Sequence, residues 1–132
     1  WCTYTDPEIA HTGMYEHEAA KKGIKTTTFM QTLEDVDRSI TDGRTEGFAK
    51  ILVKRGSDTI LGATIVAPHA GEMISGITLA IVGKVGLRTI ARTIHPYPTV
   101  AEAIKKATDA YNRSRLTPLT KSILRLVFRL RR

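Results

Sequence analysis

The sequence predicts an α+β domain, in which one antiparallel sheet carries helices on one face and a C-terminal amphipathic helix follows. Residues 48–54 alternate between apolar and polar side chains, as a half-buried strand does. The turn-forming segment 55–58 joins them to a β-branched run over 59–66, which predicts a hairpin. Helical patterns over 70–82 and 99–112 follow the hairpin, and this order of elements is typical of α+β folds.

Weaker signals predict the smaller elements. Residues 16–23 predict a short helix, because acidic residues open the segment, lysines close it and a glycine ends it. The β-rich run 26–30 predicts a strand, and 87–94 predict a short helix or turn. Residues 33–42 fit neither pattern. Gly62, inside the second hairpin strand, predicts a bulge or a closely packed neighbour.

The two longer helices differ in pattern. Residues 70–82 are apolar around most of the helix, which predicts burial in the core or under a partner, and we expect a homodimer. Gly76 within this helix is expected to allow a close approach by another element. The second helix places its apolar residues on one face: Val100, Ala103, Ile104, Ala107 and Tyr111. Thr99 followed by Glu102 predicts a capping box, which stabilises a helix by about 1 kcal/mol.

Composition narrows the function classes. The chain has 132 residues, 42% hydrophobic and 25% charged, as expected for one globular domain. Its net charge is +7, yet the excess lies in residues 113–132, and residues 1–112 are formally neutral. We therefore expect no nucleic-acid partner. With Cys2 as the single cysteine, no disulfide framework can form, and we expect a cytoplasmic location.

The basic segment predicts a separate tail, with a domain over 1–112 and the tail over 113–132. On a helical wheel of residues 117–132, apolar and basic residues occupy opposite faces. Such a helix either packs on this domain, covers a second subunit or lies peripherally on a membrane surface. A membrane-surface or partner-binding module acting through this helix is therefore the alternative function.

Several motifs are absent from the sequence. It contains no G-x-G-x-x-G, P-loop, C-x-x-C or HExxH motif, so we expect this chain to bind no dinucleotide, nucleotide or metal. No apolar run approaches the roughly 20 residues that span a bilayer. Because the chain begins at Trp1, we expect it to be a fragment of a longer protein.

The segment 95–102 carries the candidate site. Pro96 and Pro98 stiffen the backbone around an imidazole, His95, and a phenol, Tyr97, and Glu102 follows at the start of a helix. Each side chain also has a structural interpretation: a hydrogen-bonding histidine, a surface aromatic and a capping glutamate. A small α+β enzyme that uses His95 and Glu102 directly is a further alternative.

Four segments in order resemble the C-terminal dimerisation domain of the FAD-dependent pyridine nucleotide-disulfide oxidoreductases. The resemblance covers about residues 4–112 and rests on Thr5-Asp6-Pro7-Glu8-Ile9-Ala10 with Gly13, Gly47-Phe48-Ala49-Lys50, Ile60 to Glu72, and Tyr97-Pro98-Thr99 with Glu102. In this family the domain follows FAD- and NAD(P)-binding domains, builds the homodimer interface and reaches the partner's redox-active cysteine pair. The resemblance therefore implies FAD and NAD(P) in the full-length enzyme, with none bound by this fragment, which would be inactive alone.

The resemblance also assigns roles to the candidate residues. Family members with a His-Pro pair have a glutamate five residues after the histidine, and aligning Pro98, Thr99 and Glu102 places Tyr97 where that histidine lies. Tyrosine at this position is typical of the mercuric reductase-like branch. The resemblance thus implies catalytic roles for Tyr97 and Glu102 and places His95-Pro96 near the flavin. Mercury reduction is not expected, because this chain ends in Leu130-Arg131-Arg132 and lacks the terminal cysteine pair of that branch.

Overall fold

The computed structural model describes residues 1–115, which form a five-stranded antiparallel sheet in the order β1-β2-β5-β4-β3. The strands are β1 (Cys2–Thr3), β2 (Glu8–Gly13), β3 (Thr26–Thr32), β4 (Phe48–Lys54) and β5 (Ile60–Ala67). The helices are α1 (Glu16–Lys21), α2 (Asp37–Thr41), α3 (Ala70–Val82), α4 (Leu87–Arg92) and α5 (Glu102–Ser114), with a 3₁₀ turn at Leu33–Asp35.

The predicted fold class is confirmed. Helix α3 packs over β2 and β5, and α5 packs over β3 and β4 on the same face of the sheet. Along each strand, residues that face the helices alternate with residues that face away. The residues that face the helices pack with α3 and α5 in a single apolar core. Its sheet residues include Ala10, Ala49, Ile51, Ala63 and Ile65.

The hairpin of β4 and β5 provides the centre of the sheet, as the alternating pattern predicts. Its register shifts between Leu52 and Val53, which pair with Gly62 and Ile60, so one extra residue of β5 forms a bulge. A methyl group on Gly62 would collide with the backbone of Met14. Both interpretations of this glycine are therefore confirmed.

Helix α3 buries most of its apolar residues against other parts of the same chain. Met73, Ile74 and Ile77 are buried against the sheet, while Leu79 and Val82 are 72% and 76% exposed. Gly76 lies on the outward face, and a side chain there would meet nothing within 4 Å. The expected close approach at Gly76 is thus not made within the residues described.

A side chain from β2 holds the start of α3. The residue before this helix, His69, has a left-handed backbone with φ of 61° and makes no side-chain cap. Instead, Glu8 accepts a hydrogen bond at 2.9 Å from the backbone amide of Gly71 through Oε2. A carboxylate 63 residues away thus satisfies one of the free amides of the first turn.

The structure contains elements that the pattern did not predict. Strands β1 and β2 form the edge beside β5, and the ambiguous 33–42 segment contains the 3₁₀ turn and α2. Buried Leu33, Val36 and Ser39 fix this segment to the rest of the domain.

The predicted amphipathic helix over 117–132 lies outside the described residues. Helix α5 continues to Ser114, two residues beyond the predicted end of the domain at 112. The division into a domain over 1–112 and a tail over 113–132 stays a prediction.

Candidate functional site

The loop between α4 and α5 projects from the domain. Residues 93–101 connect the two helices, and within them the side chains of Ile94 and Tyr97 are 95% and 68% exposed. The peptide bond between Tyr97 and Pro98 is cis. The loop thus presents an aliphatic and a phenolic group to whatever lies next to it.

Tyr97 is tied to a residue far away in sequence. Its hydroxyl donates a hydrogen bond of 2.6 Å to Oδ2 of Asp37, the first residue of α2. This hydrogen bond and the charge of Asp37 raise the pKa of the Tyr97 phenol, and the more distant charge of Glu102 acts in the same direction. The phenol therefore stays protonated at neutral pH, with its proton directed at a carboxylate.

Glu102 is the first residue of α5, directly after the loop, and the predicted Thr99–Glu102 capping box is wrong. The first turn of α5 tightens, because the amides of residues 102–104 bond to carbonyls three residues earlier, and the helix begins after Ala101. The Thr99 hydroxyl instead donates to the carbonyl of Pro96 at 2.9 Å. Glu102 Oε2 is buried without a hydrogen-bond partner, and Oε1 lies 3.7 Å from Lys106 Nζ.

His95 serves the loop locally. Its Nε2 lies 3.2 Å from the carbonyl oxygen of Ile90, near the end of α4, and the side chain is half-buried. This contact ties the start of the loop to the helix that precedes it. The structure thus brings Glu102 close enough to Tyr97 for its charge to disfavour ionisation of the phenol, while the described hydrogen bond of His95 is to the backbone.

A cleft opens beside the loop. It has a volume of about 270 Å³ and lies between α2, the start of α3 and residues 98–101. Its polar lining comes from Arg38, Asp42, His69 and Glu72, of which the first two form an ion pair at 2.7 Å. The cleft gives the loop an open flank on the side of α2.

A second polar group occupies the sheet face that α3 and α5 leave uncovered. His11 is only 4% exposed, and its Nδ1 lies 2.9 Å from the Thr64 hydroxyl. Its Nε2 lies 3.2 Å from the Gly13 carbonyl oxygen. Burial lowers the His11 pKa, although the Gly13 carbonyl opposes the shift. His11 belongs to β2, which the sequence pattern did not predict.

Charge is concentrated at the opposite end of the domain from the loop. The turn between β4 and β5, the start of β3, the start of α4 and the end of α5 meet there. A hydrogen bond of 2.9 Å from the Arg55 amide to the Lys25 carbonyl joins the turn to β3. We call this the basic end; its exposed residues are Lys25, Lys54, Arg55, Arg88 and Arg115. Asp58 lies 3.7 Å from Arg88. The residues that follow Arg115 in sequence carry further positive charge and no acid.

Within residues 1–115, no three histidine, cysteine or acidic side chains come together as metal ligands would. No described helix is both long and apolar enough to cross a bilayer.

Comparison with known proteins decides the family. Residues 1–108 match the pyridine nucleotide-disulphide oxidoreductase dimerisation domain. The chain belongs to this family. The resemblance that rested on four short segments is thereby confirmed over most of the chain.

Individual relatives agree with the assignment. Mercuric reductase of Shigella flexneri is 38% identical over 110 residues, which are 83% of this chain and 20% of that protein. Dihydrolipoyl dehydrogenase 3 of Haloarcula marismortui is 38% identical over 104 residues, 79% of this chain and 22% of the relative. The family comprises oxidoreductases, and mercuric reductases are among the similar proteins, as the resemblance implied.

Solved structures share the fold. The protein LpdA from Mycobacterium tuberculosis superposes with a TM-score of 0.78 at 27% identity, over 84% of this chain and 24% of that one. The flavoprotein disulfide reductase RclA of Escherichia coli also gives 0.78, and at 18% identity it supports the fold alone. This chain thus spans about a fifth to a quarter of the relatives it matches.

Proposed function

We propose that this chain is the dimerisation domain of an FAD-dependent NAD(P)H disulfide oxidoreductase of the mercuric reductase-like branch. In this proposal its loop completes the redox cysteine site of the partner subunit. The observation that carries the proposal is the loop itself, which exposes Tyr97 at a fixed position while Asp37 holds its hydroxyl. FAD and NAD(P) would be bound by other domains of the parent protein, as would the cysteine pair.

The described residues fit a site that is completed from outside. In the assembled enzyme, bound FAD would supply the chemistry that transfers electrons from NAD(P)H to the cysteine pair. Tyr97 would lie against the sulfurs, Glu102 would act through its charge, and His95 would hold the loop at Ile90, with His95-Pro96 near the flavin. We expect the isolated chain to be inactive, because the reacting groups come from elsewhere.

Self-association is the second part of this proposal. Leu79 and Val82 form an apolar stripe on the outward face of α3, next to Ser75 and Gly76. Small side chains beside exposed large ones suit the close packing of a second copy. We propose that this face contributes to a homodimer, the state in which one subunit can deliver Tyr97 to the other.

Subunit complementation tests the proposal. In the parent enzyme, a Tyr97→Phe subunit paired with a subunit that lacks its redox cysteines would form one intact site, and reductase activity should return. Neither homodimeric variant should have substantial activity. Tyr4→Phe, at an exposed tyrosine outside the loop, serves as the control. Unchanged kcat/KM in the Tyr97→Phe homodimer would contradict the site role.

A second candidate function rests on the basic end. Its five cations lie where the chain continues into a basic, apolar-rich tail, and together they suit an anionic lipid surface. Each lysine or arginine near such a surface contributes about 1 kcal/mol, or roughly fivefold in binding. A peripheral location would follow from this function, and a cytoplasmic location remains a prediction.

Vesicle sedimentation tests this second function. The Lys54→Gln, Arg55→Gln, Arg88→Gln triple variant should bind vesicles containing phosphatidylglycerol about 100-fold more weakly than the unchanged chain. The Arg38→Gln, Arg44→Gln, Arg92→Gln triple variant removes the same charge from residues outside the basic end and provides the control for net charge. Equal losses in both variants, or binding that survives deletion of residues 117–132 and the triple change together, would contradict it.

A further inference from the structure

We propose that Asp37 is a positioning residue for Tyr97, and that this carboxylate, rather than that of Glu102, is the functional hydrogen-bond partner of the phenol. The inference deepens the proposed function and rests on it, since it concerns the side chain that is delivered to the partner subunit. It assigns a role to a segment, residues 33–42, in which the sequence shows no motif.

The contact itself is short and specific. The 2.6 Å bond from the Tyr97 hydroxyl to Asp37 Oδ2 joins residues 60 positions apart and involves an ionised acceptor. Hydrogen bonds of this kind are about twice as strong as those between neutral groups. Because the Tyr97 side chain is mostly exposed, packing alone does not fix its ring, and the bond to Asp37 is its one described hydrogen bond.

The backbone around Asp37 is anchored in the core of the domain. It is flanked by Val36, which is fully buried, and Ser39 of the same helix is buried as well. The Asp37 carbonyl also accepts a hydrogen bond of 2.9 Å from the Thr41 hydroxyl. The carboxylate is therefore held in place by the core, while its side chain reaches outward to the loop.

The nearby cations are already engaged by other groups. Arg38 pairs with Asp42 at 2.7 Å, and Lys106 donates to the Asp35 carbonyl and lies 3.7 Å from Glu102. Within residues 1–115, Asp37 forms no ion pair, so its negative charge acts on the phenol without neutralisation. Glu102, by contrast, makes no described hydrogen bond to Tyr97.

This arrangement decides which kind of contact the phenol can offer. Tyr97 donates its single hydroxyl proton to Asp37, so its oxygen is left to accept a hydrogen bond or to act as a ligand through its lone pairs. The negative partner also increases electron density on that oxygen. Tyr97 would therefore meet the partner's sulfur site as an acceptor or ligand rather than as a proton donor.

Tyrosine titration tests the pair directly. In the 132-residue chain with ¹³C-labelled tyrosine, the Cζ resonance of Tyr97 is followed by NMR between about pH 8 and 12, around the ordinary phenol pKa near 10. Asp37→Asn should lower the Tyr97 pKa, and Asp37→Glu should restore part of the shift. Glu34→Gln, at an exposed acidic residue of the same 33–42 segment, should leave the Tyr97 pKa unchanged. A folded Asp37→Asn chain with an unchanged Tyr97 titration would overturn the inference.

Activity in the parent enzyme separates this inference from the proposed function. Asp37→Asn should lower kcat/KM about tenfold, consistent with the loss of one hydrogen bond to a charged group, with Asp37→Glu partly rescuing it. If Tyr97→Phe lowers kcat/KM and Asp37→Asn does not, the positioning role fails and the proposed function stands. If both variants leave turnover unchanged while Asp37→Asn shifts the Tyr97 titration, the pair exists but the proposed function fails, and the site role of Asp37 with it.

Discussion

The imidazole of His11 stacks on the phenol ring of Tyr15, with centroids 3.7 Å apart and planes inclined by 4°. The stack lies on the sheet face that α3 and α5 leave open, and His17 continues it at 5.4 Å from Tyr15. It encloses an imidazole whose two nitrogens already face Thr64 and Gly13. A protonated ring would have to be accommodated in this enclosed position.

Folding stability should therefore fall in mild acid. Burial lowers the pKa of folded His11 below 6.5, so the unfolded chain takes up the proton first as the pH decreases. Stability is full above that value and is lost as the pH falls through it toward the lower pKa of the folded state. Lys50 acts in the same direction as burial and Glu18 opposes it. The free energy of unfolding, measured with urea at several pH values, should change less with pH in His11→Gln than in the unchanged chain. His17→Gln, at an exposed histidine, is the control. An equal pH dependence in all three chains would contradict the assignment.

The Glu8 contact to α3 should contribute measurably to stability. Glu8→Ala removes the acceptor of the Gly71 amide and should lower the free energy of unfolding by about 1 kcal/mol, the usual magnitude for a lost helix cap. Glu46→Ala, at an exposed site, should change it by less than about 0.5 kcal/mol. Denaturant titration distinguishes the two, and equal effects would show that the cap is dispensable.

Two glycines should respond to alanine in opposite directions. Gly62→Ala forces a methyl group against the Met14 backbone and should destabilise the domain by about 1–3 kcal/mol. Gly76→Ala adds a methyl group in open space within a helix and should stabilise it by about 0.5–1 kcal/mol. Thermal unfolding at low protein concentration measures both, and a stable Gly62→Ala chain would mean that the two backbone segments can separate.

The outward face of α3 should control self-association. Leu79→Arg with Val82→Arg places two charges on the proposed interface and should shift the chain toward monomer in sedimentation velocity, with its secondary structure unchanged. Met30→Arg, at another exposed apolar residue, tests whether any such charge has this effect. Dissociation by Met30→Arg alone would move the interface to the open face of the sheet.

The sequence patterns predicted those strands and helices whose burial is visible in their own residues. The alternation over Phe48–Lys54 and the apolar helix Ala70–Val82 appear with the predicted bounds, since each pattern reports its own burial. Strand β2 was missed because its six residues do not alternate, and its partner β5 begins some fifty positions later. The Thr99–Glu102 cap failed because the first turn tightened, which the residue types alone do not reveal.

The candidate site was predictable only in part. Prolines flanking a phenol mark Tyr97 in the sequence, but nothing in the sequence links it to Asp37, 60 residues earlier. The pair exists because α2 and the α4–α5 loop meet at one end of the sheet. Identifying such a partner requires the tertiary arrangement of the chain.

The strand order means that residues 1–13, which contain β1 and β2, cover an edge of β5 that would otherwise be open. Without β1 and β2, residues 62–67 of β5 would present unpaired amides and carbonyls beside aliphatic side chains. A proteolytic cut after Gly13 followed by release of residues 1–13 would therefore expose this edge. Strands of neighbouring molecules would then be able to pair with it, which is a route to aggregation.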